Sequence, residues 1–114
     1  MDKVEKFKQM AIKSFEAQEK GSSRTVNGCY ESLKKIAIEL YKNGEIEKLK
    51  PLMYSEHDAV RFEAAVRLLP IYTEEAEAVL EELSPNKGAL IYFSAEMTLR
   101  EWRKGNMKYE YYQK

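Results

Sequence analysis

The sequence predicts an all-α protein of about six helices. The 114 residues include only three prolines and five glycines, so long segments run without a residue that interrupts a helix. Within these segments, apolar residues recur every three or four positions, which is the spacing of an amphipathic helix. The length fits one domain with a single modest core. We therefore expect one helical domain over residues 1–105 and a C-terminal tail over residues 106–114.

The first half of the chain predicts three helices. The first covers about residues 2–19, and the second about residues 24–42, with Ser22 or Ser23 available as its N-cap. The third lies in the segment EIEKLKPLM, where Pro51 should make the helix brief or irregular. Its apolar residues are expected to face the core, namely Ile46, Leu49, Leu52 and Met53.

The second half predicts three more helices. Ser55 and Asp58 have the spacing of a capping box, so a fourth helix should begin at Ser55 and end before Pro70. Thr73 is the expected cap of a fifth helix, whose acidic first turn suits a helix N-terminus. A sixth helix covers about residues 89–104 and stops at a glycine.

The fourth helix is apolar around most of its circumference, which predicts a central position with neighbours on several sides. Arg61 lies inside the apolar arc, whereas Glu63 and Arg67 share the only polar sector. Since an arginine cannot lose its charge, we expect Arg61 to be largely buried and bonded to Asp58 or to main-chain carbonyls near a helix end. A ligand-binding role for Arg61 is the alternative. Trp102 is expected to pack in the core.

Charge is zero overall but unevenly distributed. Residues 51–86 carry two Lys/Arg against eight Asp/Glu, which argues against nucleic acid as the main partner. No Lys or Arg lies between Thr73 and Asn86 to pair with the glutamates of the fifth helix. These side chains form either a merely solvated face or a surface that steers a basic protein. The glutamates are Glu74, Glu75, Glu77, Glu81 and Glu82.

The tail is rich in tyrosine. Tyr109, Tyr111 and Tyr112 can pack back over a helix or serve as contact residues for a partner, because tyrosine is enriched at interfaces.

Catalytic constellations are not indicated. His57 and Cys29 are the only histidine and cysteine, and they fall in different predicted helices. No metal-ligand cluster or glycine-rich phosphate loop is present, so we expect a non-enzyme without a cofactor. No segment has the ~20 apolar residues of a membrane span or the apolar block of a signal peptide, which predicts a cytosolic protein.

The stretch DAVRFEAAVRLL resembles the second helix of a HEAT repeat. The matching residues are Asp58, Val60, Arg61, Ala64, Ala65 and Leu68. The preceding segment would be the first helix of that repeat, and a degenerate second copy would follow. This resemblance places HEAT-like helix pairs over about residues 45–104.

Residues 27–105 also resemble a small bacterial HEAT-like group, the domain-of-unknown-function family two thousand nineteen. The motifs that carry this resemblance include LKPL at residues 49–52 and LREWRKG at residues 99–105. It implies a compact HEAT-like helical stack with no established catalytic chemistry. Some members look like immunity partners of secreted bacterial toxins.

The resemblance therefore implies a protein-binding scaffold, an immunity protein that neutralises a bacterial toxin by direct binding. The expected partner is another protein, such as a basic toxin domain, and neither nucleic acid nor a membrane. The candidate contacts are four glutamates of the fifth helix and the three tyrosines of the tail, namely Glu74, Glu77, Glu81, Glu82, Tyr109, Tyr111 and Tyr112. A small-ligand-binding or regulatory helical domain is the alternative function.

Overall fold

The computed structural model describes residues 2–84, 90–109 and 112, and in this part of the chain the regular structure is entirely helical. The all-α prediction is confirmed. Five α-helices and one 3₁₀ segment follow one another in chain order. They are α1 (Lys3–Glu19), α2 (Ser23–Lys42), the 3₁₀ segment (Ile46–Tyr54), α3 (Asp58–Leu68), α4 (Thr73–Leu83) and α5 (Leu90–Arg103).

The first two helices form an antiparallel pair whose ends follow local rules. Asp2 caps α1, because its Oδ1 accepts a hydrogen bond from the backbone N–H of Glu5 at 3.0 Å. Gly21 and Gly44 follow α1 and α2 with φ of +74° and +71°, a left-handed conformation that favours glycine and reverses the chain. The turns that result bring α1 and α2 side by side.

The 3₁₀ segment is irregular, as Pro51 predicts. Its four apolar residues face the core as expected, and each is at least 92% buried. They are Ile46, Leu49, Leu52 and Met53.

The predicted helix starts at Ser55 and Thr73 need correction. Helix α3 begins at Asp58, and Ser55 Oγ accepts from the backbone N–H of His57 at 3.1 Å in a local turn. Thr73 is the first residue of α4, and its hydroxyl donates to the carbonyl of Leu69 at 2.6 Å. Short hydroxyl side chains compete for nearby backbone groups in this way, so neither residue acts as the helix cap.

Helix α3 is central, as its apolar circumference predicts. It contacts α1, α2, the 3₁₀ segment, α4 and α5. Small residues on α3 allow these neighbours to approach closely, since Ala64 and Ala65 are fully buried. Tyr92 of α5 also donates to Asp58 at 2.8 Å, which ties α5 to the first turn of α3. The HEAT-like pairing of these helices remains a prediction.

Candidate functional site

Arg61 joins three elements of the fold. Its side chain is 19% exposed, so it is partly rather than fully buried. Nε donates to the carbonyl of Met53 at 3.2 Å, near the end of the 3₁₀ segment, which is the main-chain acceptor that the sequence predicts. Nη1 lies 3.8 Å from Asp58, and Nη2 donates to Glu82 of α4 at 2.7 Å. The bond to Glu82 was not expected, because that residue lies 21 positions away in the chain.

The more deeply buried arginine is Arg67, in the sector of α3 that the sequence identified as polar. Arg67 is only 2% exposed, and the side chain of Glu63 is 14% exposed. Nη2 of Arg67 lies 3.7 Å from Oε1 of Glu63, and Cζ lies 5.1 Å from the centre of the Tyr30 ring. This polar sector therefore faces the interior, where α1 and α2 cover it.

The guanidinium of Arg67 keeps two donors without hydrogen bonds. Nε and Nη2 are both shielded from solvent, and neither finds an acceptor in the described part of the chain. Leaving a buried donor unsatisfied costs about 1–3 kcal/mol, so such groups usually have a function or a missing partner. Burial also raises the pKa of Glu63, although the nearby Arg67 opposes that shift.

A cleft of about 460 Å³ opens beside Arg67, which we call the Arg67 cleft. Its walls come from α1, α2, α3, α5 and the start of the tail. The charged side chains that line it are Lys34, Glu63, Arg67 and Lys108. In the part of the chain that the structure describes, three cations against one carboxylate make this cleft suited to a negatively charged group.

The tail packs beside the same cleft. Tyr109 lines the cleft and donates its hydroxyl to the carbonyl of Val66 at 2.5 Å. Its ring lies 5.8 Å from the ring of Tyr112, which is 6% exposed and packs 4.8 Å from Tyr41. Tyr111 lies outside the described residues. The two described tyrosines therefore contribute to packing within the chain.

Trp102 contacts the core from α5 and is also a hydrogen-bond donor. Its Nε1 donates to Glu77 of α4 at 2.8 Å, and its ring meets Tyr109 edge-on at 6.2 Å. This residue is partly exposed, so it lies at the edge of the core rather than inside it.

Neighbouring elements supply the cations that α4 lacks. Arg103 of α5 pairs with Glu81 and lies 3.7 Å from Glu77. Glu82 accepts from Arg61 of α3. Glu74 differs from the others, since it is exposed and no ion pair among the described residues involves it. The acidic face is thus largely neutralised by tertiary contacts that intrahelical spacing could not predict.

Glu75 is held in the same manner from the 3₁₀ segment. It accepts from the Tyr54 hydroxyl at 2.6 Å and lies 3.2 Å from Nζ of Lys50. The hydrogen bond from Tyr54 has the largest effect and the contact with Lys50 the next largest, and both hold the pKa of Glu75 below its usual range. Tyr54 remains 62% exposed despite this bond.

The two residues considered as catalytic candidates lie in unlike surroundings. Cys29 is 3% exposed, and burial raises the pKa of its thiol. His57 is exposed just before α3, with its ring 6.2 Å from Phe15. Among the described residues, no group of three His, Cys, Asp or Glu is placed to hold a metal ion. No helix in that same part is both long and apolar enough to cross a bilayer.

No protein-family model matches this chain, and no curated protein or solved structure matches it either. The resemblance to HEAT-like bacterial domains therefore remains a prediction, as does the immunity role that it implies.

Proposed function

We propose that this protein acts by binding rather than by catalysis, and that it recognises an anionic group in the Arg67 cleft. The observation that carries this proposal is the guanidinium of Arg67, which is buried with two donors lacking hydrogen bonds. A charged-group hydrogen bond contributes about 1.5–3 kcal/mol, so a ligand that satisfies these donors gains substantial affinity.

The surroundings of Arg67 support an anion rather than a cation. Lys34 and Lys108 line the same cleft and add positive charge, while Glu63 is the one carboxylate among the described residues that line it. Apolar surface from Phe62 and Val66 is also available in the cleft. Pockets that combine apolar walls with a few well-placed polar groups are the usual form of small-ligand sites.

The test is ligand-dependent stabilisation of the fold. A ligand that binds only the folded state raises the free energy of unfolding, and therefore Tm, in proportion to its concentration relative to Kd. Melts are recorded with carboxylates, phosphates, sulfate and acidic peptides, with neutral and cationic analogues at matched ionic strength as controls. We expect anions to raise Tm of the native chain and of Arg100→Lys, a matched change at an exposed arginine, but not of Arg67→Lys. Equal effects on all three proteins would contradict a site at Arg67.

A second candidate is the protein-binding role that the sequence resemblance implies, with a basic toxin domain as partner. The observation that favours it is a surface groove of about 660 Å³ beside α4, which is lined by the exposed Tyr54 and by four glutamates. Aromatic side chains are frequent anchors in interfaces, and acidic surroundings attract basic proteins. The test begins with a search of the gene neighbourhood for a toxin gene. Its product is then assayed for direct binding to the purified protein and for loss of toxin activity. Failure to bind would remove this candidate and leave the Arg67 cleft as the proposed site.

A further inference from the structure

The two free donors of Arg67 belong to one edge of its planar guanidinium. Nε–H and the adjacent N–H of Nη2 point in nearly the same direction, and together they match two oxygens of one acid group. Both atoms lack hydrogen bonds in the described part of the chain. Among the described residues, the carboxylate that pairs with Arg67 is that of Glu63, and its Oε1 is 3.7 Å from Nη2, beyond hydrogen-bond distance. This edge of Arg67 is therefore an unused bidentate donor pair, and neither of its atoms contacts solvent.

Tyr30 is the exposed aromatic neighbour of this guanidinium. Its ring covers the guanidinium at 5.1 Å from Cζ, yet Tyr30 itself is 49% exposed. A side chain with that much solvent contact can change rotamer at small cost, whereas the surrounding walls from α3 are packed. Since both donors are shielded from solvent, we expect a ligand to reach them by displacing this exposed ring.

The charge balance at this edge distinguishes a monoanion from a dianion. Glu63 lies on the same face of α3 one turn before Arg67, so an incoming ligand meets a carboxylate as well as the guanidinium. Because Arg67 and Glu63 carry opposite charges, the second charge of a phosphate gains little net attraction from this pair. Its desolvation in a buried site also costs more than that of a singly charged carboxylate. The walls beyond the edge include Phe62, Val66 and Met107, which suit an apolar body.

We infer that the Arg67 cleft binds a monocarboxylate with an apolar body, whose two oxygens accept from Nε and Nη2 of Arg67 beneath a displaced Tyr30 ring. This inference rests on the proposed function and specifies its ligand. Two sources share this chemistry, a small organic acid and the free C-terminus of a peptide. Either one satisfies both donors with a single group.

The experiment follows the side-chain Nε–Hε signal of Arg67 by two-dimensional NMR, with the signal assigned from its loss in Arg67→Lys. The probes are phenylacetate, phenyl phosphate, and a short peptide ending in phenylalanine with either a free or an amidated C-terminus. All titrations are run at constant ionic strength. We expect saturable shifts with phenylacetate or the free-acid peptide and none with the amidated peptide. Which of the two acids binds more tightly identifies the source.

Two variants separate binding from structural effects. Arg67→Lys removes the pair of parallel N–H donors. Affinity for the carboxylate should therefore fall at least about tenfold, which corresponds to the loss of one charged hydrogen bond. Glu63→Gln removes the competing charge and should raise affinity at least about threefold. This second effect is measurable from backbone signals of the cleft even if Arg67→Lys does not fold.

The outcomes distinguish the inference from the proposed function. Saturation by phenyl phosphate alone would overturn the carboxylate assignment while leaving anion binding intact. Weaker carboxylate binding in Glu63→Gln would also overturn it, because Glu63 would then be assisting the ligand. If no probe shifts the Arg67 signal and no anion raises Tm through Arg67, both the inference and the proposed function fail.

Discussion

The hydroxyl of Tyr109 donates to the carbonyl of Val66 at 2.5 Å. In a continuing helix this carbonyl would accept from the backbone N–H four residues later, but that position is Pro70, which has no N–H. The tail thus satisfies a main-chain acceptor that the proline leaves open at the end of α3. Because Tyr109 also lines the Arg67 cleft, this bond fixes part of the cleft wall.

Tyr109→Phe should therefore lower the free energy of unfolding by about 1 kcal/mol, since the ring contacts remain and only the hydrogen bond is lost. Chemical denaturation of the variant checks this value. Tyr30→Phe is the matched control, because the Tyr30 ring contacts Arg67 while its hydroxyl makes no hydrogen bond among the described residues. Equal losses in the two variants would contradict a specific role for the Tyr109 hydroxyl.

Arg61→Ala should lower the free energy of unfolding by about 2 kcal/mol. The change removes packing along a side chain that is 19% exposed, together with the hydrogen bonds that Arg61 donates to the Met53 carbonyl and to Glu82. Thermal and chemical melts provide the measurement. Arg100→Ala, on an exposed α5 arginine paired only within its helix, should have little effect. An unchanged melt for Arg61→Ala would contradict the structural role and favour a ligand-binding one.

The difference between Arg61 and Arg67 explains what the sequence could and could not predict. Helical spacing was sufficient to identify α3 as central, and every predicted core residue of the 3₁₀ segment is buried. The same reasoning placed Arg61 inside and left Arg67 in the polar sector. A helix surrounded on all sides buries its polar sector too. The spacing of four residues between Glu63 and Arg67 was the available signal, because it allows the two buried charges to pair with each other.

Contacts between distant segments were beyond the reach of sequence spacing. The pairing of Glu82 with Arg61, and of Glu77 with Trp102, joins residues 21 and 25 positions apart. Intrahelical rules detect only neighbours three or four residues away, so α4 was expected to lack cations that α3 and α5 in fact provide. The Arg67 cleft was missed for a related reason, because its walls come from four helices and the tail.

Glu63→Gln should change how stability depends on pH. Burial raises the pKa of Glu63 in the folded protein above its ordinary value of 4.5, so between these two pKa values the folded state binds more protons than the unfolded state. The contribution of Glu63 to stability is therefore full below pH 4.5 and is lost as pH rises through the raised pKa. Glutamine does not titrate, so the variant does not lose this stability as pH rises. The free energy of unfolding of Glu63→Gln minus that of the native chain should therefore increase from pH 4 to pH 7.

Melts of both proteins across that range measure the effect. Glu96→Gln serves as the control, since Glu96 is exposed on α5 and should show no comparable trend. A difference between native chain and Glu63→Gln that stays constant with pH would show that the folded protein does not perturb the titration of Glu63.

Cys29 should react slowly in the folded protein. The residue is 3% exposed and burial raises the pKa of its thiol, so both access and thiolate population are reduced. Alkylation by iodoacetamide at pH 7.5, followed by mass spectrometry, should be far slower than in denaturant. Anion binding in the Arg67 cleft should survive both Cys29→Ser and His57→Ala. Loss of binding or activity in either variant with the fold intact would reopen a chemical role for that residue.

The acidic face of α4 can be tested through the different surroundings of its glutamates. Glu77 accepts from Trp102 and lies near Arg103, so Glu77→Lys should destabilise the fold by about 1–2 kcal/mol through the lost acceptor and the like charge. Glu74 is exposed and makes no ion pair among the described residues, so Glu74→Lys should leave Tm unchanged. If only Glu77→Lys loses partner binding, the cause would be the destabilised fold. If Glu74→Lys loses binding, the cause would be the changed charge on the exposed surface.

If this face steers a basic partner, Glu74→Lys should slow association with that partner, because long-range attraction between opposite charges increases the rate of encounter. The effect should be largest at low salt and should shrink at physiological ionic strength, where the Debye length is about 8 Å. Stopped-flow association measured at both salt concentrations, beside Glu96→Lys as a charge-matched control on α5, tests this. An association rate equal to that of the native chain at both salt concentrations would assign the acidic face to stability and solvation, since the remaining glutamates already pair with Lys50, Arg61 and Arg103.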